Sequence, residues 1–152
     1  MYDNVYQYRA AEGVHSVGTF HEEGEPQSFV NDIHNIDTKK GTVYLVSTTA
    51  VLSSSYRGQT IKTFRIDGSS LLGGVRIIKT ASGLTDSIGF AYDFFTVSDR
   101  GERPIRLFKY DPKSRSISFP VVVEDDKTPQ GRVTSAKIVY RFNGQYFGRV
   151  KN

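Results

Sequence analysis

Apolar residues in this chain come in short alternating runs, and no stretch carries a long helical stripe. Strand formers dominate the runs and turn formers separate them. Thr42–Thr49 is dense in Val, Thr and Tyr, and Ala50–Leu52 extends it. In Gln59–Asp67, Thr60, Lys62, Phe64 and Ile66 share one side while Ile61, Thr63 and Arg65 share the other. Leu71–Lys79 reads as a returning strand, with Gly73-Gly74 marking a bulge or a close backbone approach. Ser87–Val97 reads as one strand rich in Phe90, Tyr92, Phe94 and Phe95. Ile105–Tyr110 and Ile117–Val123 form a hairpin. In its second arm Ile117, Phe119, Val121 and Val123 alternate toward one buried face, and Pro120 makes the arm an edge strand or a bulged one. Ala136–Phe142 and Gln145–Val150 close the chain as a hairpin around Asn143-Gly144. Segments 53–58, 80–86 and 124–134 read as loops.

Two regions are less regular. Phe29, Val30, Ile33 and Ile36 have helical spacing behind Pro26. Asn31, Asp32, His34 and Asn35 are poor helix formers, however, and a hairpin-like turn, 37–41, follows, so a strand is the better reading. In residues 1–25, Tyr6, Tyr8 and Ala10 share a parity with Tyr2 nearby. Gly13 and Gly18 space out Val14, Val17 and Phe20, and an acidic turn runs from His21 to Pro26. Short strands peripheral to the main core are expected there.

One pattern recurs: Phe64-Arg65-Ile66-Asp67-Gly68, Phe108-Lys109-Tyr110-Asp111-Pro112 and Tyr140-Arg141-Phe142-Asn143-Gly144. Each reads as a strand running into a hairpin turn. Asp67 and Asp111 are 44 residues apart, Asp111 and Asn143 only 32. The longer spacing, with Leu107–Lys113, resembles the blade hairpins of propeller proteins. A closed propeller takes about four blades of about 40–45 residues, more than this chain holds. The expected fold is one all-β domain over residues 1–152: an antiparallel hairpin-repeat barrel or sandwich of about 8–10 strands with little or no helix.

Composition narrows the class. At 38% hydrophobic and 24% charged, 152 residues suffice for a core, and no transmembrane segment or signal peptide is evident. The absence of cysteine excludes disulfides and thiolate chemistry. It suits a cytoplasmic protein and equally an envelope or extracellular domain whose targeting segment is removed. Net charge is +4 and uneven: residues 1–76 hold 7 Lys and Arg against 8 Asp and Glu, residues 77–152 hold 13 against 8. The basic excess lies in the second half, which suits an anionic partner as well as an ordinary soluble surface.

Candidate chemistry is sparse. His15, His21 and His34 lie near Glu22, Glu23 and Asp32, but no spacing matches a metal-ligand motif, so no metal is assigned. Phosphate-loop, dinucleotide and nucleophile-elbow motifs are absent, and no cofactor is expected. The densest charged element is 98–104, where Arg100, Arg103 and nearby Arg106 surround Asp99 and Glu102. Arg forks suit carboxylate or phosphate, with Tyr92, Phe94 and Phe95 as one wall. A self-satisfied network pinning the loop is the plainer reading of the same residues. Arg65, Lys109 and Arg141 hold equivalent places in the recurring pattern and would form a basic row if their hairpins were neighbours. The leading expectation is therefore a non-enzymatic binding or interaction module for an anionic polymer or another protein. Its ligand-binding residues would be Arg65, Arg100, Arg103, Arg106, Lys109, Arg141, Tyr92 and Asp99. The alternatives are a hydrolase of an acidic or sugar substrate around Asp93 and Asp99, and a nucleic-acid-binding β module.

Overall fold

The computed structural model describes residues 4–19 and 27–151. The strands, in chain order, are β1 (Asn4–Ala10), β2 (Gly13–Thr19), β3 (Gln27–Thr38), β4 (Gly41–Val51), β5 (Tyr56–Asp67), β6 (Ser70–Gly73), β7 (Ile78–Thr80), β8 (Gly83–Thr85), β9 (Ser87–Asp93), β10 (Lys109–Asp111), β11 (Ser116–Val123), β12 (Arg132–Phe142) and β13 (Phe147–Arg149). Among the described residues the only helical element is a single 3-10 turn, Phe94–Thr96. The strands outnumber the expected eight to ten because the chain breaks its weaker runs into three- and four-residue pieces.

Two sheets face each other. One is ordered β3-β4-β5-β6, and β9 shares with β6 the free edge of β5. The other is ordered β10-β11-β12-β13-β7-β8. Both have open ends, so the architecture is a sandwich rather than a closed barrel. The pairing is antiparallel except between β13 and β7, which run parallel. Ile36, Val43, Leu45 and Ile61 from the first sheet meet Ile78, Ile117, Phe119, Tyr140, Phe142 and Phe147 from the second in one buried cluster with Phe108. Each such side chain contributes about 1.5–3 kcal/mol by leaving water. A second cluster, Tyr92, Val97, Ile105 and Leu107, lies beside it, and Phe90 packs against both.

β3 is a strand despite its helical spacing, because it pairs with β4 from Gln27↔Val51 to Thr38↔Gly41 around a bulge at Val30/Asp32. An available strand edge outweighs weak local preference. In β5 the parity holds, with Ile61 and Thr63 facing the core. Phe64 and Ile66 take the other face, where the β1–β2 hairpin covers them. Tyr6 lies 5.6 Å from the Phe64 ring, Tyr8 Oη donates to Ser69 O, and Asn4 bridges Ser28 O and Val30 N. The acidic turn 21–26, with His21, and Tyr2 and Phe20 lie outside the described residues.

Several expectations need correction. Ile105–Tyr110 is not a strand throughout: β10 spans only Lys109–Asp111, and the Gln59 side chain takes the place of a strand partner for Ile105 O and Leu107 N. Leu71–Lys79 is not one strand: β6 ends at Gly73, the chain turns through Gly74 at φ +82°, and 75–77 crosses to the other sheet. The close approach at this glycine pair is real, since a Cβ on Gly73 would sit 3.3 Å from the Phe64 ring. Segment 80–86 is not a loop: it holds the turn and second arm of a small hairpin, β7–β8. Phe94 and Phe95 are not strand residues, because Asp93 Oδ1 accepts from Phe95 N and curls the chain into the 3-10 turn. A register shift between Pro120 and Val122 flips the parity of β11, so Val122 packs on the second cluster and Val123 is exposed. The last hairpin has a four-residue loop in place of a two-residue turn: Phe142 pairs with Phe147, and Asn143 Oδ1 accepts from Gln145 N and Tyr146 N.

Candidate functional site

The outward face of β10–β12 carries two of the candidate cations, Lys109 and Arg141. Core-facing residues are in register across these strands, as in Tyr110↔Ile117↔Tyr140 and Phe119↔Ile138. The intervening positions point away from the core. They read Lys109↔Ser118↔Val139, Asp111↔Ser116↔Arg141 and Pro120↔Lys137. Lys109, Lys137 and Arg141 are all exposed. Lys109 and Arg141 thus share one face, with β11 between them and two serines in the gap.

A cleft of about 250 Å³ opens at one end of this face. β10 starts only at Lys109, so the preceding residues run unpaired past β11. Pro120, which has no N–H to offer, lies just beyond the end of that ladder. The gap is bordered by Arg100, Arg106, Lys109 and Lys137, by the hydroxyls of Ser118, Thr134 and Ser135, and by no carboxylate.

Arg106 is anchored: its Nε lies 2.8 Å from Asp32 Oδ2 on β3, and its backbone N donates to Glu102 Oε1 at 3.4 Å. Part of its charge is spent on that partly exposed pair, which is worth about 0–1 kcal/mol. The unpaired run itself is fastened from inside by Gln59. Its Nε2 donates to Ile105 O at 2.7 Å and to Tyr92 Oη at 3.2 Å, and its Oε1 accepts from Leu107 N at 3.0 Å. Asp111, the acid on the same face, accepts from the Ser114 hydroxyl and the Lys113 backbone N–H, which together hold its carboxyl below the usual range. It therefore stays ionised as part of its own turn.

The other expected site residues separate. Arg103 is consumed by its own turn, donating to the carbonyls of Ser98, Arg100 and Glu102 at 2.7–3.0 Å. Tyr92 is core at 1% exposure, and burial pushes its phenol up from the ordinary value. Phe95 is exposed, while Phe94 lies under the Arg57 guanidinium at 4.9 Å. Asp93 is spent as a cap, and Asp99 is exposed on the turn without bordering the cleft. Arg65 lies in the opposite sheet, 4.0 Å from Asp67, so Arg65, Lys109 and Arg141 do not form one row. The reading missed Lys137, Ser118, Thr134 and Ser135. A signal for Lys137 was present, since Lys137, Val139 and Arg141 share one parity on β12.

Among the described residues no cluster of His, Asp and Glu is placed to hold a metal ion. Comparisons with protein-family models, with curated proteins and with solved structures returned no match to this chain.

Proposed function

We propose that this chain is a non-enzymatic binding module whose ligand is an anionic polymer, held on the outer face of the six-stranded sheet through charge. The observation that carries this reading is the meeting of Arg100, Arg106, Lys109 and Lys137 at a hydroxyl-lined cleft that no carboxylate borders, with Arg141 one row away. Cations so placed attract a polyanion, and the Ser118 and Ser135 hydroxyls donate to its oxygens, while Thr134 Oγ1 donates to Val121 O. Arg adds a planar fork that fits sulfate, phosphate or carboxylate.

The face favours an acidic polysaccharide over single-stranded nucleic acid. Base recognition on a sheet needs exposed rings for stacking. Here Tyr110, Phe119 and Tyr140 pack in the core, and Phe119, which borders the cleft, is only 8% exposed. Hydrolysis would need an acid or base beside the bound anion. Neither Asp93 nor Asp99 borders the cleft.

The test is fluorescence polarisation with a labelled sulfated polysaccharide and with oligouridine of matched charge, at low salt and at about 0.3 M salt. Binding to the polysaccharide should be salt-sensitive, and Lys109→Ala and Lys137→Ala should each weaken it about three- to tenfold. Lys127→Ala, in the 124–131 loop outside the cleft, should leave it unchanged. Tighter binding of oligouridine would replace the polysaccharide by nucleic acid. Silence with both polymers, or an equal loss in Lys127→Ala, would overturn the proposal.

A further inference from the structure

A second, larger cleft lies between the two sheets, where the chain crosses from one to the other. β6 stops at Gly73 and β7 starts at Ile78 in the opposite sheet. The crossover is fastened to both sides: Thr63 Oγ1 donates to Val75 O at 2.6 Å, and Phe147 N donates to Ile77 O at 2.6 Å. Gly74 makes the departure possible, since at φ +82° an L side chain is strained and its Cβ would lie 3.3 Å from Asp86 Oδ2. Neither sheet covers the chain beside this crossing, which leaves a space of about 640 Å³. That is the size range of small-molecule sites.

Its lining divides into two chemistries. Val43, Leu72, Val75, Ile77 and Leu84 supply apolar wall. Leu72 and Leu84 are 38% and 49% exposed, an arrangement that leaves apolar surface in water unless something covers it. Lys39, Lys40, Arg65 and Arg76 supply the charge; no Asp or Glu is among the lining residues, and Asp86 behind Gly74 and Asp67 beside Arg65 are the acids at its margin. Arg65 touches Asp67 only at 4.0 Å, with both side chains half or more exposed, a contact too loose to hold the guanidinium. Residues 1–76 contain only 7 Lys and Arg, and their net charge is negative. Four of those seven meet at this one place, so the convergence is made by the fold and is not a by-product of general basicity.

We infer that this cleft binds a small amphiphilic anion, one molecule at a time, with its apolar body against the Leu72 and Leu84 walls and its phosphate, sulfate or carboxylate on Arg65 and Arg76. An apolar ligand alone would leave the cations without counter-charge. A bare anion would leave the leucines wet. Only a ligand with both parts satisfies both halves of the lining. The site is independent of the polymer-binding face, sharing no lining residue with it.

Isothermal titration of the full chain with n-octyl phosphate below its micelle concentration tests this directly. Inorganic phosphate, n-octanol and octyl glucoside are the controls. The phosphate ester should bind one to one and at least about tenfold tighter than any control. Arg65→Ala, Arg76→Ala and Leu84→Gln should each weaken it about fivefold or more, and Lys109→Ala should not. These are exposed positions, and unchanged circular dichroism and melting temperature would show that the variants fold. Inorganic phosphate binding as tightly as the ester would reduce the cleft to a plain anion site and overturn the inference. So would octanol binding as tightly. Cosedimentation with phosphatidic acid vesicles in the absence of any binding to monomeric octyl phosphate would also overturn it, in favour of a membrane surface.

Discussion

Gln59 illustrates how much can rest on a residue whose type announces little. It begins a strand-like run in the sequence, yet at 1% exposure its amide makes three hydrogen bonds inside the core. Two of them satisfy backbone groups of 105–107, the unpaired run that carries Arg106 to the cationic cleft. Gln59→Leu keeps the volume but orphans Ile105 C=O and Leu107 N–H, so it should cost about 2–4 kcal/mol in urea unfolding. A loss below about 1 kcal/mol would mean that the run is held by packing alone. Its neighbour Tyr92 links this point to pH. Burial raises the Tyr92 phenol, and also Tyr6 and Tyr110, above the ordinary 10.0. The folded state then keeps its protons where the unfolded chain has lost them. The contribution of these tyrosines to stability should be flat well below pH 10 and fall as pH rises through it. Urea midpoints from pH 8 to pH 11 would check this, at about one-unit steps, and Tyr92→Phe should shallow the decline.

At the scale of elements, the β1–β2 hairpin is a two-stranded sheet of its own. Such ribbons are marginal unless they pack on something. This one packs on Tyr44 of β4 and on Phe64 and Ile66 of β5, which the alternation of the two strands leaves on the sheet's outer face. A space of about 270 Å³ between hairpin and sheet shows that the fit is not tight. The hairpin should therefore open by itself, well below the free energy of global unfolding. Tyr6→Ala, which removes the ring 5.6 Å from Phe64, should strip hydrogen-exchange protection from 4–19 while leaving β4, β5 and β12 protected. Equal loss in those central strands would make the hairpin part of the cooperative core. Alternating parity made the hairpin's strands legible, whereas its place over β5 was not: parity tells which residues share a face and says nothing of what covers it. The same limit hid the crossover at Gly74. Leu71–Lys79 has apolar residues on both sides of Gly73-Gly74, and only the partner sheet, contributed from beyond residue 100, decides where such a run changes sides.

For the molecule as a whole, the all-β class followed from period and punctuation, but the cationic sites depended on pairings far apart in the chain. Half-by-half charge counting pointed to residues 77–152. Of the cations in that half, Arg100, Arg106 and Lys109 border one cleft. The counting was blind to Lys39, Lys40, Arg65 and Arg76, which come from the nearly neutral half and meet at the larger cleft. The two apolar clusters raise a related question of unity. Phe90 is the residue that joins them, with ring centroids 6.1 Å from Tyr92 in one cluster and 5.2 and 5.9 Å from Phe108 and Phe119 in the other. A domain of this size with one continuous core should unfold in a single transition. Phe90→Ala would remove the shared ring and cost about 3–5 kcal/mol, most of the coupling between the clusters with it. In wild type, tyrosine fluorescence and far-ultraviolet circular dichroism should report the same urea midpoint. In Phe90→Ala the midpoint should fall and the two probes should separate, because the cluster around Tyr92 and Leu107 is the smaller and would melt first. Coincident probes in the variant would show instead that strands β5, β9 and β11, which run beneath both clusters, carry the cooperativity through their backbone ladders.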